Sequence, residues 1–511
     1  MAARAVVKDV GRAFGMPFSF TDRITKLIPA ELNITIERSL LESSELAALA
    51  KQDYMVEKVL SYGALLEGLP RHASVHAAGV VITPGELVNF VPLYRTNQDE
   101  ITTQYDKDSI EAIGLLKMDF LGLRTLTIIQ DTINRVKESG KGEIDIEKLD
   151  LNDRKTFELL GRGETEAVFQ FESEGMKRYL RKLKPDKLED LIAMNALYRP
   201  GPIRMIDEYI RRKHSAEKPN YIFPELESIL AETYGIIVYQ EQVMLIAQAV
   251  AGFTLQEADE LRRAMGKKKP EIMAKMREKF IEGAKKRKKD LKQVEELFEL
   301  MEEFSKYGFN KSHSAAYALL AYQTAYLKAH FPLEFLAANL TAEMGNATKI
   351  AELLVECRRK GVEVLPPDIN KSVEWFTVEN EKIRFGLGAI KNLGSSAIQS
   401  IIEARKRLGK FDNFYQFCSA VDTRKVNKRA IESLIKSGAM DSLGSRAELL
   451  KALDDALEHS SSKEFALTPF LFGTEQILPT YKPLPKAEPI PKLTLLAMEK
   501  EVLGVYMSGH P

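Results

Sequence analysis

Three clusters of side chains in this 511-residue sequence have types and spacings that could do chemistry. The first is Leu115-Leu116-Lys117-Met118-Asp119-Phe120, whose alternation predicts a strand with Lys117 and Asp119 on one face and Leu116, Met118 and Phe120 on the other. A carboxylate held beside a lysine suits a Mg²⁺ ligand with a phosphate partner, but one carboxylate does not make a metal site, and spacing alone favours a solvated, salt-bridged strand face. The second is a basic block: from Arg262 to Lys292 there are 14 Lys/Arg against four Asp/Glu. It begins Arg262-Arg263-Ala264-Met265-Gly266-Lys267-Lys268-Lys269-Pro270. Gly266 reads as a helix stop and Pro270 as the start of the next helix, so the lysines are expected in a turn where they could meet phosphate; the alternative is a solvated helix face. The third is Lys306-Tyr307-Gly308-Phe309-Asn310-Lys311-Ser312-His313-Ser314, a predicted loop into a helix from Ala315 to His330. Ser312 or Ser314 would be its N-cap, and Lys311 and His313 would flank an N-terminus able to bind phosphate. Tyr317, Tyr322 and Tyr326 could stack on bases, although an Ala-rich aromatic helix is more often core.

These groups need elements to position them. Residues from about Thr21 to Tyr62 carry the helical period, and from Ala78 to Phe120 short β-type runs replace it, separated by Pro84-Gly85 and polar turns, which predicts one compact sheet. After Gly122 the helical period persists almost to residue 365, with stops at Gly140, Pro200-Gly201-Pro202, Gly266 and Pro332. Trp375 to Phe385 reads as a hairpin-like connector, followed by a smaller helical unit. In that unit Ile390-Lys391-Asn392-Leu393-Gly394-Ser395-Ser396-Ala397 and Ser437-Gly438-Ala439-Met440-Asp441-Ser442-Leu443-Gly444 read as tight turns between helices. Such turns offer backbone N–H groups to a DNA phosphate, or merely pack helices together; Asn392 stands where glycine is usual and tolerates positive φ. After Ser460 a proline-rich run predicts an extended linker.

Composition narrows the function classes. With 73 Lys+Arg against 73 Asp+Glu the formal net charge is zero, so nucleic-acid affinity must come from local clustering. Two cysteines without CxxC spacing fit a reduced cytosolic protein and exclude a zinc finger, and no apolar run is long enough to span a membrane. There is no GxxxxGK[ST] loop and no dinucleotide fingerprint. His72 and His76 stand four apart without a third ligand at suitable spacing, so packing or a nucleic-acid contact is favoured over zinc.

Taken together, the chain resembles the bacterial C-family replicative polymerases, the DNA polymerase III alpha subunits. The resemblance rests on His72-Ala-Ser-Val-His76-Ala-Ala-Gly79, Lys117-Met-Asp119-Phe-Leu-Gly-Leu-Arg124, Phe169-Gln-Phe-Glu172 and Asn195-Ala-Leu-Tyr-Arg-Pro-Gly-Pro202. It continues through Tyr239-Gln-Glu-Gln242, Arg262-Arg-Ala-Met-Gly-Lys-Lys268, Phe309-Asn-Lys-Ser-His-Ser-Ala-Ala-Tyr317 and Gly509-His-Pro511. It implies an α+β, mostly helical fold: a thumb-like helical unit at 1–77, a partial polymerase-beta-like palm sheet at 78–124, helical fingers at 125–368, a helix-hairpin-helix unit of clamp-binding type at 369–460 and a proline-rich linker at 461–511. It implies template-directed nucleotidyl transfer with two Mg²⁺ ions in the cytoplasm, with primed template DNA and dNTPs as substrates and a sliding clamp and other replisome subunits as partners. Asp119 would be the metal-binding catalytic carboxylate. Lys117, Arg262 and Arg263 would meet the triphosphate, and Lys267, Lys268, Lys311, His313, Lys391, Asn392 and Gly394 the DNA.

The sequence departs from the family pattern in two ways. The family's other two catalytic aspartates form an Asp-x-Asp pair upstream of the segment resembling Ala2 to Arg12, so a central fragment, inactive alone, is expected. The clamp-binding pentapeptide retains Leu471-Phe472 but has Thr468 in place of glutamine. A non-catalytic DNA-binding scaffold is the alternative; the joint retention of Lys117, Asp119, Arg262 and Arg263 argues against it.

Overall fold

The computed structural model describes residues 2–29, 34–69, 74–96, 99–217, 219–267, 270–305, 308–464 and 481–510. The chain forms two units, Met1–Gly122 and Leu123–Pro511.

The first unit starts with five short helices: Ala3–Ala13, Phe18–Lys26, Ile36–Glu42, Ser44–Gln52 and Tyr54–Leu66. They are short because caps recur closely: Thr35, Ser43 and Asp53 each accept a first-turn backbone N–H with their side chains. The helix Ala3–Ala13, which the sequence reading passed over, buries Val6, Val7 and Val10 with Ile24, Ile36, Val56 and Val59. Strands β1 (Gly79–Ile82), β2 (Leu93–Arg95), β3 (Ile101–Thr103) and β4 (Leu116–Asp119) follow. They do not make one sheet. β1 pairs with β4 and β2 with β3 in two separate antiparallel ribbons. The reason is local: a 3₁₀ turn at Leu87–Asn89 diverts the chain after β1, and a helix at Lys107–Ala112, capped by Asp106, separates β3 from β4.

The second unit is mostly helical and is built on three large apolar clusters, with a small fourth at Ile129, Leu327 and Phe335. In the first, the helix Lys311–His330 packs on Leu188–Leu197 and Arg154–Gly161, burying Ala318, Ala321, Tyr322 and Ala325. In the second, the helices Gln240–Ala251, Leu255–Lys267, Pro270–Lys286 and Leu291–Ser305 enclose Phe253, Phe280 and Phe298. Pro270 begins its helix as expected, but the preceding helix does not stop at Gly266. It reaches Lys267, with Ala264 and Met265 anchoring its last turn in the core.

The third cluster contains a three-stranded sheet of β5 (Val364–Leu365), β6 (Thr377–Glu379) and β7 (Lys382–Arg384) in the order β5-β7-β6. The β6–β7 hairpin expected from the alternation turns through Asn380 and Glu381, both at positive φ. The helices Ser395–Leu408, Lys428–Lys436 and Arg446–Glu464 complete it. The proline-rich segment has no regular secondary structure from Tyr481 to Pro491, with Tyr481 and Leu484 packed against this core, and Lys492–Leu503 is a helix whose Val502 and Leu503 join it. Glu499 secures it: its carboxylate, 1% exposed, accepts the Met507 and Ser508 amides at 2.8 and 3.0 Å and an Arg446 guanidinium N–H at 3.1 Å. Thr468–Phe472 lies outside the described residues, as do His72 and Lys268.

Candidate functional site

In the first unit the β1–β4 register sets Gly79 opposite Asp119 and Val81 opposite Lys117. Directly paired residues share a face of an antiparallel ribbon, so Lys117 and Asp119 project together, as the alternation predicted. The Lys117 ammonium donates to Asp119 Oδ1, and this hydrogen bond holds the carboxyl below the usual carboxylate range. For His76 the spacing favours packing or a nucleic-acid contact over zinc, and gives no sign that it meets this pair. His76 Nδ1 lies 3.9 Å from Asp119 Oδ1 and accepts the backbone N–H groups of Ala78 and Gly79 at 3.2 and 2.7 Å. On the opposite face Val80, Ile82, Leu116 and Met118 are exposed. Among the described residues no group of three or more His, Cys, Asp or Glu side chains could hold a metal. One carboxylate does not fit a two-ion centre, so these residues alone do not constitute one.

In the second unit Arg262 and Arg263 stand together on the helix Leu255–Lys267. Both reach back to Asp259, Arg262 at 2.8 Å and Arg263 at 2.7 Å, the i,i+3 and i,i+4 geometry of a helix surface. The rest of the basic block divides. Arg277 and Lys279 pair with Glu299 and Glu257 of neighbouring helices, Lys289 pairs with Glu225, and Arg287 donates to the Ala249 carbonyl at 3.1 Å. These side chains hold helices together. Lys275, Lys285, Lys286, Lys288 and Lys292 are exposed, with no ion pair among the described residues.

The third cluster is placed differently from the sequence reading. The helix begins at Lys311, not Ala315, because Asn310 caps it by accepting the His313 N–H at 2.9 Å. Ser314 is no cap: it is buried and donates to the Ile192 carbonyl at 2.5 Å. Lys311 and His313 therefore occupy the first turn. Lys311 Nζ is bound by Glu232 at 2.7 Å, and its backbone N–H by Glu241 at 3.0 Å, leaving it less available to phosphate than expected. His313 lies in a ladder of rings: its centroid is 4.4 Å from Tyr317 and 5.5 Å from Phe309, Phe169 is 5.2 Å from Tyr317, and the Arg199 guanidinium is 4.2 Å from Phe309. Tyr322 is core, fully buried with its hydroxyl donating to the Asp150 carbonyl at 2.6 Å. Four of the quoted motifs thus converge, since Tyr239 and Phe309 form a parallel bridge and Asn310 Nδ2 donates to Glu241 at 2.9 Å. These contacts span 69 residues or more in sequence, where no periodicity signals them.

In the helix-hairpin-helix unit the first turn is preceded by a single 3₁₀ turn, Leu387–Ala389, not a helix. Asn392 takes φ 64° as expected, steadied by a hydrogen bond from its Nδ2 to Ser433 at 3.1 Å, and Gly394 is the N-cap of Ser395–Leu408. The Lys391 N–H is spent on the Val502 carbonyl at 2.9 Å, so it is not offered to a phosphate. The second turn does join two helices, Lys428–Lys436 and Arg446–Glu464.

Family models match as "Bacterial DNA polymerase III alpha NTPase domain" over residues 1–122, "Bacterial DNA polymerase III alpha subunit finger domain" over 125–288 and "Helix-hairpin-helix motif" over 361–449. The chain belongs to the bacterial DNA polymerase III alpha subunit family. DNA polymerase III subunit alpha of Thermus aquaticus is 48% identical over 518 residues, covering 100% of this chain and 42% of that protein. Those of Escherichia coli (strain K12) and Bacillus subtilis (strain 168) are 46% and 44% identical, again over 100% of this chain and 46% of each relative. The chain spans less than half the length of these relatives. Among the described residues no helix is long and apolar enough to cross a membrane.

Proposed function

We propose that this chain is the thumb, partial palm, fingers and helix-hairpin-helix portion of a cytoplasmic bacterial replicative DNA polymerase, extending a primer 3′-hydroxyl on template DNA with dNTPs. The observation that carries the reading is the Lys117–Asp119 pair on one face of β4, in a chain that also sets Arg262 and Arg263 side by side on an exposed helix turn. Asp119 serves as one ligand of the two Mg²⁺ ions of the family chemistry, and the other carboxylates come from outside the described residues. Lys117, Arg262 and Arg263 neutralise the triphosphate, which carries its charge into the transition state. The exposed lysines 275, 285, 286, 288 and 292, with Lys267 and Lys268 of the same basic block, together with His313 and the Asn392–Gly394 turn, hold primed DNA through its backbone. Sliding-clamp and other replisome contacts belong to the same reading.

The test is primer extension by this chain supplemented with a polypeptide carrying the family's Asp-x-Asp palm strand, beside its Asp119→Asn variant. Extension by the supplemented chain and none by the variant is expected. Equal extension by both would remove Asp119 from the reaction. DNA binding without extension in either would favour the non-catalytic scaffold.

A further inference from the structure

We propose that His76 is a positioning residue for the Lys117–Asp119 pair, holding Gly79 beneath the lysine through an unprotonated Nδ1. The inference rests on the reading of Lys117 and Asp119 as the reacting pair. Nδ1 accepts two successive backbone N–H groups, from Ala78 at 3.2 Å and Gly79 at 2.7 Å, so it must carry a lone pair and the ring proton sits on Nε2. Those bonds fix the first residue of β1, which the register sets opposite Asp119. Gly79 leaves the space Lys117 uses: a Cβ there would lie 2.7 Å from Lys117 Cε, 2.9 Å from Lys117 Nζ and 2.9 Å from His76 Nδ1. A lysine ammonium at the end of a flexible side chain thus closes on a carboxylate two residues away because a glycine lies under it and a histidine pins that glycine. Lys117 is only 20% exposed in its side chain although the ribbon is open, which agrees with a seated ammonium.

The experiment measures acetylation of the Lys117 amine by acetyl-N-hydroxysuccinimide in the full chain, quantified by mass spectrometry of its peptide. His76→Ala should raise the rate about two- to tenfold, the worth of a lost hydrogen bond. His76→Asn should restore protection, because Asn Oδ1 falls where Nδ1 does, whereas His76→Gln should not. Gly79→Ala should raise the rate with His76 intact, its clash being chiefly with the flexible end of Lys117. An unchanged rate in His76→Ala, or an Asn variant as reactive as the Ala variant, would overturn the proposal. If His76→Ala fails to fold, the Asn–Gln comparison and Gly79→Ala decide the matter. Acetylation needs no catalysis, so failure here leaves the Asp119 extension assay standing, and failure there leaves this positioning intact.

Discussion

Asp259 and Arg262 lie one helical turn apart, joined at 2.8 Å, and the same carboxylate takes Arg263 at 2.7 Å. The hydrogen bond from Arg262 keeps the Asp259 carboxyl below the usual range, so it stays ionised through neutral pH and competes with any anion the two arginines could bind. Asp259→Asn is therefore expected to raise affinity for inorganic triphosphate at low salt by about two- to fivefold, the worth of an exposed ion pair. Arg262→Ala with Arg263→Ala should lower it, while binding to primed DNA changes less. Calorimetric titration checks both, and equal losses for triphosphate and DNA would defeat the assignment.

Lys285, Lys286 and Lys288 are exposed without ion pairs among the described residues. If they meet phosphates, each releases counterions on binding, and affinity for DNA falls steeply with salt. Replacing each by Ala should reduce the slope of log K against log salt by about one. Fluorescence anisotropy across a salt series measures this, and an unchanged slope in the triple variant would mark the block as solubilising.

Glu164 sits between Arg162 at 2.8 Å and Lys360. Burial raises its pKa, but hydrogen bonds from Arg162 and Lys360 outweigh that and bring it from 4.5 to about 2. A carboxyl depressed by folding stabilises the protein above its unfolded pKa, and that contribution is lost as pH falls through the folded value. The difference in Tm between the wild type and Glu164→Gln should therefore be full above about pH 4.5 and shrink toward pH 2. A difference independent of pH would mean that neither Arg162 nor Lys360 holds this carboxylate in solution.

Gly283 lets the helix Pro270–Lys286 approach Gln240–Ala251, since a Cβ there would lie 2.1 Å from the Ala251 carbonyl oxygen. Backbone cannot swing aside as a side chain can, so Gly283→Ala should cost about 1–3 kcal/mol despite the better helix propensity of alanine. Urea unfolding measures it, and a stabilised variant would refute this close approach.

Residues near one another in sequence were legible in advance. The alternation at Leu116–Asp119 placed Lys117 and Asp119 on one face, Pro270 opened its helix, and Asn392 adopted positive φ, because strand pleat, ring-fixed φ and left-handed tolerance are properties of a residue and its immediate neighbours. Tertiary structure decided the rest. Which basic side chains are spent on Glu225, Glu257 and Glu299, that Ser314 donates to Ile192 instead of capping its helix, that Val502 takes the Lys391 N–H, and that Tyr239 meets Phe309 all depend on partners brought together from distant parts of the chain. Charge and hydrogen-bonding capacity are written in the residue types, but whether a group is free for a ligand depends on what the fold sets beside it.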